Sequence, residues 1–131
     1  MTIDLDMTSS IPIYLQIKNH IVISIGKGEL KAGEYLPAVR QLAYDNGVNM
    51  MTVSKAYSVL RSEGYIEIDR RHGAKICGAK LKNDEFKIRL SCELLLLIAS
   101  SKANGLDKNA FIQMCENIFS TMNPQKVQGI I

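Results

Sequence analysis

The sequence predicts a mainly α-helical fold with one small β-hairpin, and three stretches predict it. Two short amphipathic segments meet at a Gly-Val turn between Leu36 and Gly64. An alternating stretch from Tyr65 to Cys77 then folds back around a basic turn. Beyond Gly78 the apolar residues recur at spacings of three and four. Helix, tight turn, helix and hairpin, in that order, is the plan of a winged helix-turn-helix. The boundaries expected are 1–78 for that unit and 79–131 for a short two-helix C-terminal region.

Residues Met1 to Ser10 read equally as a loose arm or an extra short strand. Ser9 or Ser10 can cap a helix starting at Pro12, with Tyr14, Ile17, Ile21 and Ile25 as its buried stripe. Gly26 and Gly28 break this helix, and Leu30 to Leu36 bridges to the next. The helix is expected to brace the back of the motif, with Lys18 and Asn19 on a solvated face within reach of phosphate. Pro37 suits the first position of the second helix, where a missing N–H costs nothing. Val39, Leu42 and Ala43 share one side of it, and Gly47 can take the left-handed conformation that ends it. Val48 tucks into the core under the turn.

Asn49 is a good N-cap for the third helix, which Gly64 closes. In that helix Val53, Ala56, Tyr57 and Leu60 fall on one face. If that face is pinned to the core, Asn49, Met51, Thr52 and Lys55 project outward near the helix N-terminus. The first turn of such a helix reaches base edges in the major groove, and its N–H groups favour phosphate. Thr52 can donate or accept a hydrogen bond, and Lys55 can neutralise phosphate or reach a guanine. Met50 and Met51 offer apolar contact to a thymine methyl; alternatively one of them plugs the core.

Tyr65 to Ile68 reads as a strand, Asp69 to Gly73 as a turn, and Ala74 to Cys77 as the returning strand. A basic loop on two strands suits a minor groove or a phosphate. Alone it reads more readily as a solvated hairpin whose charges protect an edge. Its position directly after a helix-turn-helix favours the nucleic-acid reading.

Lys80 to Asn83 is polar and marks a hinge. From Asp84 to Ala103 one stripe holds Phe86, Leu90, Leu94, Leu97 and Ser101, and another holds Ile88, Leu95 and Ile98. Apolar residues over so much circumference call for more than one neighbour. Gly105 can end this helix, and Asp107 can cap a last one carrying Phe111, Met114, Cys115, Ile118, Phe119 and Met122. Two helices cannot bury all of this surface within one chain. A twofold homodimer pairing these helices is the economical solution, with Phe86, Leu90, Leu94, Leu97, Ile98, Phe111 and Ile118 as its expected interface. The alternative is that the pair completes a monomeric core.

The 131 residues hold 16 Lys and Arg against 13 Asp and Glu, a net charge of +3. Residues 1–78 hold 9 against 8, a net of only +1, so bulk charge does not argue for DNA. Placement does, because Arg40, Lys55, Arg70, Arg71 and Lys75 belong to elements expected on one surface. Glu63, Glu67 and Asp69 must then point elsewhere. Cys77, Cys92 and Cys115 show no metal-like spacing, and their odd number suits a reducing cytosol. His20 and His72 are isolated, so neither a metal nor a cofactor is expected. Asp4 and Asp6 precede any apolar run, which argues against a signal peptide, and Leu94 to Ala99 is too short to span a membrane. A cytoplasmic location is therefore expected.

The blocks Pro12-Ile13-Tyr14-Leu15-Gln16-Ile17, Leu36-Pro37-Ala38-Val39-Arg40, Val48 through Tyr57, and Glu63-Gly64-Tyr65-Ile66 with the Arg-rich wing occur in a definite order and spacing. In these the chain resembles the GntR family of bacterial transcription regulators, specifically its short YtrA-like subgroup. The resemblance covers about the first 77 residues. It implies DNA contacts at Arg40, Asn49, Met51, Thr52, Lys55, His72 and Gly73, to which the wing adds Arg70 and Arg71. Two positions depart from the family pattern: Met50, where many members have Arg or Pro, and Arg71, where the wing usually has Gly. The resemblance also implies control of a neighbouring transporter operon, often with autoregulation.

The function expected is a dimeric repressor acting on a palindromic operator in double-stranded DNA. Two reading helices related by a dyad meet successive major grooves about 34 Å apart. Any small-molecule effector would bind between the C-terminal helices or at their junction with the hinge. A winged-helix protein-interaction module without DNA binding is the alternative. No catalytic set can be assembled from these residues, so an enzyme is not expected.

Overall fold

A computed structural model describes residues 1–79 and 84–122. Its elements are α1 (Ile13–Gly26), α2 (Val39–Asn46), α3 (Met50–Ser62), β1 (Ile66–Asp69), β2 (Gly73–Ile76), α4 (Glu85–Ala103) and α5 (Lys108–Thr121). They fall into two compact units, Met1–Ala79 and Lys80–Ile131. The Lys80 to Asn83 hinge lies outside the described residues.

In the first unit α3 packs against α1 and α2, and its C-terminal end leads into the hairpin. One core joins them: Ile17 and Ile21 of α1, Leu42 and Ala43 of α2, Val53, Ala56, Tyr57 and Leu60 of α3, and Ile66, Ala74 and Ile76 of the strands. Ala56 is fully buried, its single methyl leaving room for a neighbouring backbone. Ser24 is also buried, at a position outside the anticipated stripe, while Tyr14 and Ile25 are only partly covered.

The turns follow local rules. Gly47 takes φ 62°, and the Val48 N–H donates back to the Ala43 carbonyl at 3.0 Å. The Asn49 side chain accepts the Met51 N–H at 2.7 Å. At the other end of α3, Gly64 takes φ 86° and the Tyr65 N–H reaches the Leu60 carbonyl at 2.9 Å.

Two helix starts differ from expectation. α2 begins at Val39 behind Ala38, whose extended ψ of 150° keeps Pro37 out of the helix. The Pro37 carbonyl is used instead, accepting the Tyr57 hydroxyl at 2.6 Å. α1 begins at Ile13 without a serine cap. Ser9 Oγ accepts the Ile11 N–H, a turn outside the helix. Gln16 ties the entry down: its Oε1 accepts the Asp6 N–H, while its Nε2 donates to the Asp6 and Ile11 carbonyls.

The N-terminal segment is an arm with fixed partners. Ile3 is buried, and its N–H donates 2.7 Å to Asn46 Oδ1 at the end of α2. Asn46 Nδ2 in turn donates to the Met1 and Leu42 carbonyls. The Met1 amino group lies 3.1 Å from Asp45.

β1 and β2 are antiparallel, with Ile66 opposite Ile76 and Asp69 opposite Gly73. Residues 33–36 flank β2: Gly33 N–H to the Ile76 carbonyl at 2.9 Å, Ile76 N–H to Glu34 at 2.8 Å, Leu36 N–H to Ala74 at 2.8 Å. A stretch read only as a bridge therefore stiffens the wing.

In the second unit Gly105, at φ 91°, ends α4, and Asp107 Oδ1 caps α5 by accepting the Ala110 N–H at 2.8 Å. Neither helix has a buried residue. Leu95, Leu96 and Phe119 are 72%, 73% and 74% exposed. Among the described residues no helix is long and apolar enough to cross a membrane.

Candidate nucleic-acid interface

The third helix divides cleanly. Val53, Ala56, Tyr57 and Leu60 are sealed in the core, and this fixes the rotation of α3 about its axis. Met50, Met51 and Lys55 are consequently exposed and Thr52 half-buried at the helix N-terminal end. Met51, 79% exposed, is no core plug, and Met50 is also open to solvent.

Two candidate side chains have protein partners, the Asn49 cap announced by the sequence and the Lys55 contact not. Asn49 commits its Oδ1 to the cap, so its amide NH₂ is what it can offer a ligand. Lys55 Nζ stands 4.2 Å above the Tyr14 ring of α1, a cation–π contact that aims the ammonium while leaving Lys55 exposed. Arg40 is exposed at the second residue of α2.

Acidic neighbours are handled individually. Glu63 pairs with Lys18 at 3.0 Å, so Lys18 ties α1 to the end of α3. Glu67 lies opposite Lys75 across the hairpin. Asp69 folds back onto the wing tip, where Oδ1 accepts the Arg71 N–H at 2.8 Å. Its Oδ2 lies 3.2 Å from His72 Nδ1 and accepts the Tyr35 hydroxyl at 3.3 Å. The Arg71 N–H foremost, then His72, holds this carboxyl below its ordinary range.

The tip itself presents Arg70, Arg71 and His72 to solvent, and Gly73 takes φ 95° where β2 begins. Gly73 is thus required by backbone conformation, whatever it touches. Tyr35, Asp69 and Tyr14 are the residues sequence reasoning missed. Among the described residues no His, Cys, Asp and Glu cluster could hold a metal. Cys77, Cys92 and Cys115 are free thiols.

A helix whose inner face is locked and whose N-terminal turn is open, followed by a basic hairpin, defines a winged helix-turn-helix regulator of transcription. Residues 13–76 match the profile described as bacterial regulatory proteins, gntR family. The chain is 34% identical over 111 residues to the uncharacterized HTH-type transcriptional regulator YhcF of Bacillus subtilis, covering 84% of this chain and 92% of that protein. It is 46% identical over 74 residues to the HTH-type transcriptional repressor YtrA of the same organism, covering 56% of this chain and 57% of that one. The solved structure of YtrA from Sulfolobus acidocaldarius, a GntR-family transcription factor, matches with a TM-score of 0.60 at 39% identity, over 72% of this chain and 97% of that one. This chain belongs to the GntR family and is one of its YtrA-like, non-enzymatic DNA-binding regulators.

Proposed function

We propose that the chain is a homodimeric repressor of a palindromic operator in double-stranded DNA. Each protomer lays the first turn of α3 in a major groove and its wing against the adjoining minor groove or backbone. Arg40, Lys55, Arg70 and Arg71 then meet phosphate or base acceptors, Asn49, Met51 and Thr52 face base edges, and His72 and Gly73 form the wing tip. The single observation behind this reading is the burial of Val53, Ala56, Tyr57 and Leu60 beside an exposed Met51 and Lys55 and a half-buried Thr52.

Dimerisation is supported by the exposed apolar surface of the second unit. Phe86, Leu90, Leu97, Ile98 and Ile118 are all exposed in one chain, with Leu94 and Phe111 half-covered. A patch of this kind on a monomer marks a contact surface. A twofold pair buries the same stripe on both copies. By resemblance to YtrA-like regulators, a neighbouring transporter operon is the proposed target, and the second unit is where an effector would bind.

Selection of bound fragments from a genomic DNA pool at two salt concentrations tests the proposal. A palindrome with half-sites about 34 Å apart, recovered less efficiently at high salt, is the expected result. Enrichment of no fragment would overturn it. A second reading, a winged helix that docks protein, draws on the exposed Met50 and Met51 pair. It requires indifference to Arg40→Ala and to salt.

A further inference from the structure

The wing tip carries a carboxylate where DNA should meet only cations and donors. Asp69 closes β1, yet both of its oxygens are engaged by the protein. Oδ1 takes the Arg71 N–H at 2.8 Å, and Oδ2 takes the Tyr35 hydroxyl at 3.3 Å and lies 3.2 Å from His72 Nδ1. The Tyr35 and His72 rings stand with centroids 5.6 Å apart, inclined at 47°. Tyr35 is itself held by an antiparallel bridge to Lys75 of β2. The groups facing this imidazole are therefore Asp69 from β1 and Tyr35 from the strand-like segment beside β2, with Arg70 and Arg71 in its own loop; Lys75 lies opposite Glu67.

An ionised carboxylate only accepts hydrogen bonds, so the ring nitrogen against it must carry the hydrogen. That nitrogen is Nδ1 in the neutral ring as well as in the cation. Nε2 is the other ring nitrogen of a side chain that is 63% exposed. It is an acceptor when the ring is neutral and a donor when it is charged.

We infer that Asp69 and Tyr35 are positioning residues that set the tautomer of His72, so that the wing reads DNA through Nε2 as an acceptor when neutral and as a donor when protonated. This rests on the DNA-binding function proposed above. In the minor groove guanine N2 supplies the donor, whereas adenine N3 and thymine O2 accept. Phosphate oxygens accept as well. A neutral His72 therefore favours a G·C pair at the wing, and a charged one favours A·T or the backbone.

The experiment has two arms on the full chain. In the first, long-range ¹H–¹⁵N correlation of the free protein at about pH 8 should show His72 with Nδ1 protonated and Nε2 bare. Asp69→Ala should move the ring toward the Nε2–H form. Should that variant's hairpin unfold, the wild-type spectrum decides alone. An Nε2–H ring in the wild type overturns the inference and leaves the DNA-binding reading standing.

The second arm compares two operator duplexes differing only in G·C or A·T at the wing contact, at about pH 8 and about pH 5.5. The G·C preference should fall about tenfold on acidification. It should become independent of pH in His72→Gln. A preference unchanged by pH in the wild type overturns the inference. Absence of binding to either duplex at both pH values overturns it together with the proposed function.

Discussion

The Tyr57 hydroxyl donates a 2.6 Å hydrogen bond to the Pro37 carbonyl, tying the buried face of α3 to the residue just ahead of α2. It is the only side-chain polar link recorded between these two segments among the described residues, and burial pushes the phenol pKa upward. Arg40 lies three residues beyond Pro37, so this bond helps set where Arg40 stands relative to Thr52. Tyr57→Phe keeps the ring but strands a carbonyl. It should cost about 1 to 2 kcal/mol in urea denaturation. Its operator affinity should fall less than that of Arg40→Ala.

Asn49 separates folding from recognition. Asn49→Ala removes the cap and should destabilise the protein by about 1 kcal/mol in the same assay. Asn49→Asp keeps an acceptor for the Met51 N–H and should remain as stable as wild type. Its added negative charge should nevertheless weaken operator binding in a fluorescence anisotropy titration.

Lys55 and Thr52 should fail in different ways. Lys55→Ala should lower affinity for all sequences alike and reduce the salt slope by about 1. Thr52→Ala should relax base preference and leave the slope unchanged. Tyr14→Leu withdraws the ring beneath Lys55 and should cost about 0.5 to 1 kcal/mol of binding without altering which operator is preferred.

Leu94 lies in the middle of the α4 stripe. Leu94→Glu should yield monomers in analytical ultracentrifugation and abolish tight operator binding, while helix content by circular dichroism stays near wild type. A dimer that survives would place the interface elsewhere.

The wing has its own acid limit. Asp69 titrates below its ordinary value of 3.8 because its charged form accepts hydrogen bonds. A depressed acid stabilises the fold at pH above the unfolded value, and that contribution disappears as pH falls through the folded value. Protection of the Arg71 amide from hydrogen exchange should therefore persist as pH falls through 3.8 and be lost only at more acid pH, through the depressed folded value.

Much of the first unit was legible because its signals are local. Gly47, Asn49 and Gly64 each act on backbone groups within five positions, and a single glycine or asparagine reports such a turn. The α3 face was legible for the same reason, since residues three, four and seven apart share one side of any helix. The starts of α1 and α2 were misplaced because nearby alternatives competed. Ser9 had a turn of its own to close, and Pro37 was recruited by a tyrosine from another helix. The second unit was legible in its helices and glycine stop.

Periodicity and turn chemistry thus established a winged helix-turn-helix, the rotation of its reading helix and the basic character of its wing. The fold had to supply the rest: Tyr35 reaching Asp69 across 34 positions, Lys55 resting on Tyr14, and Asn46 fastening the N-terminal arm. Contacts between residues distant in the chain leave no repeating trace in composition or spacing. They exist only once hydrophobic burial has brought separate segments together, and it is these contacts that fix where the polar groups stand.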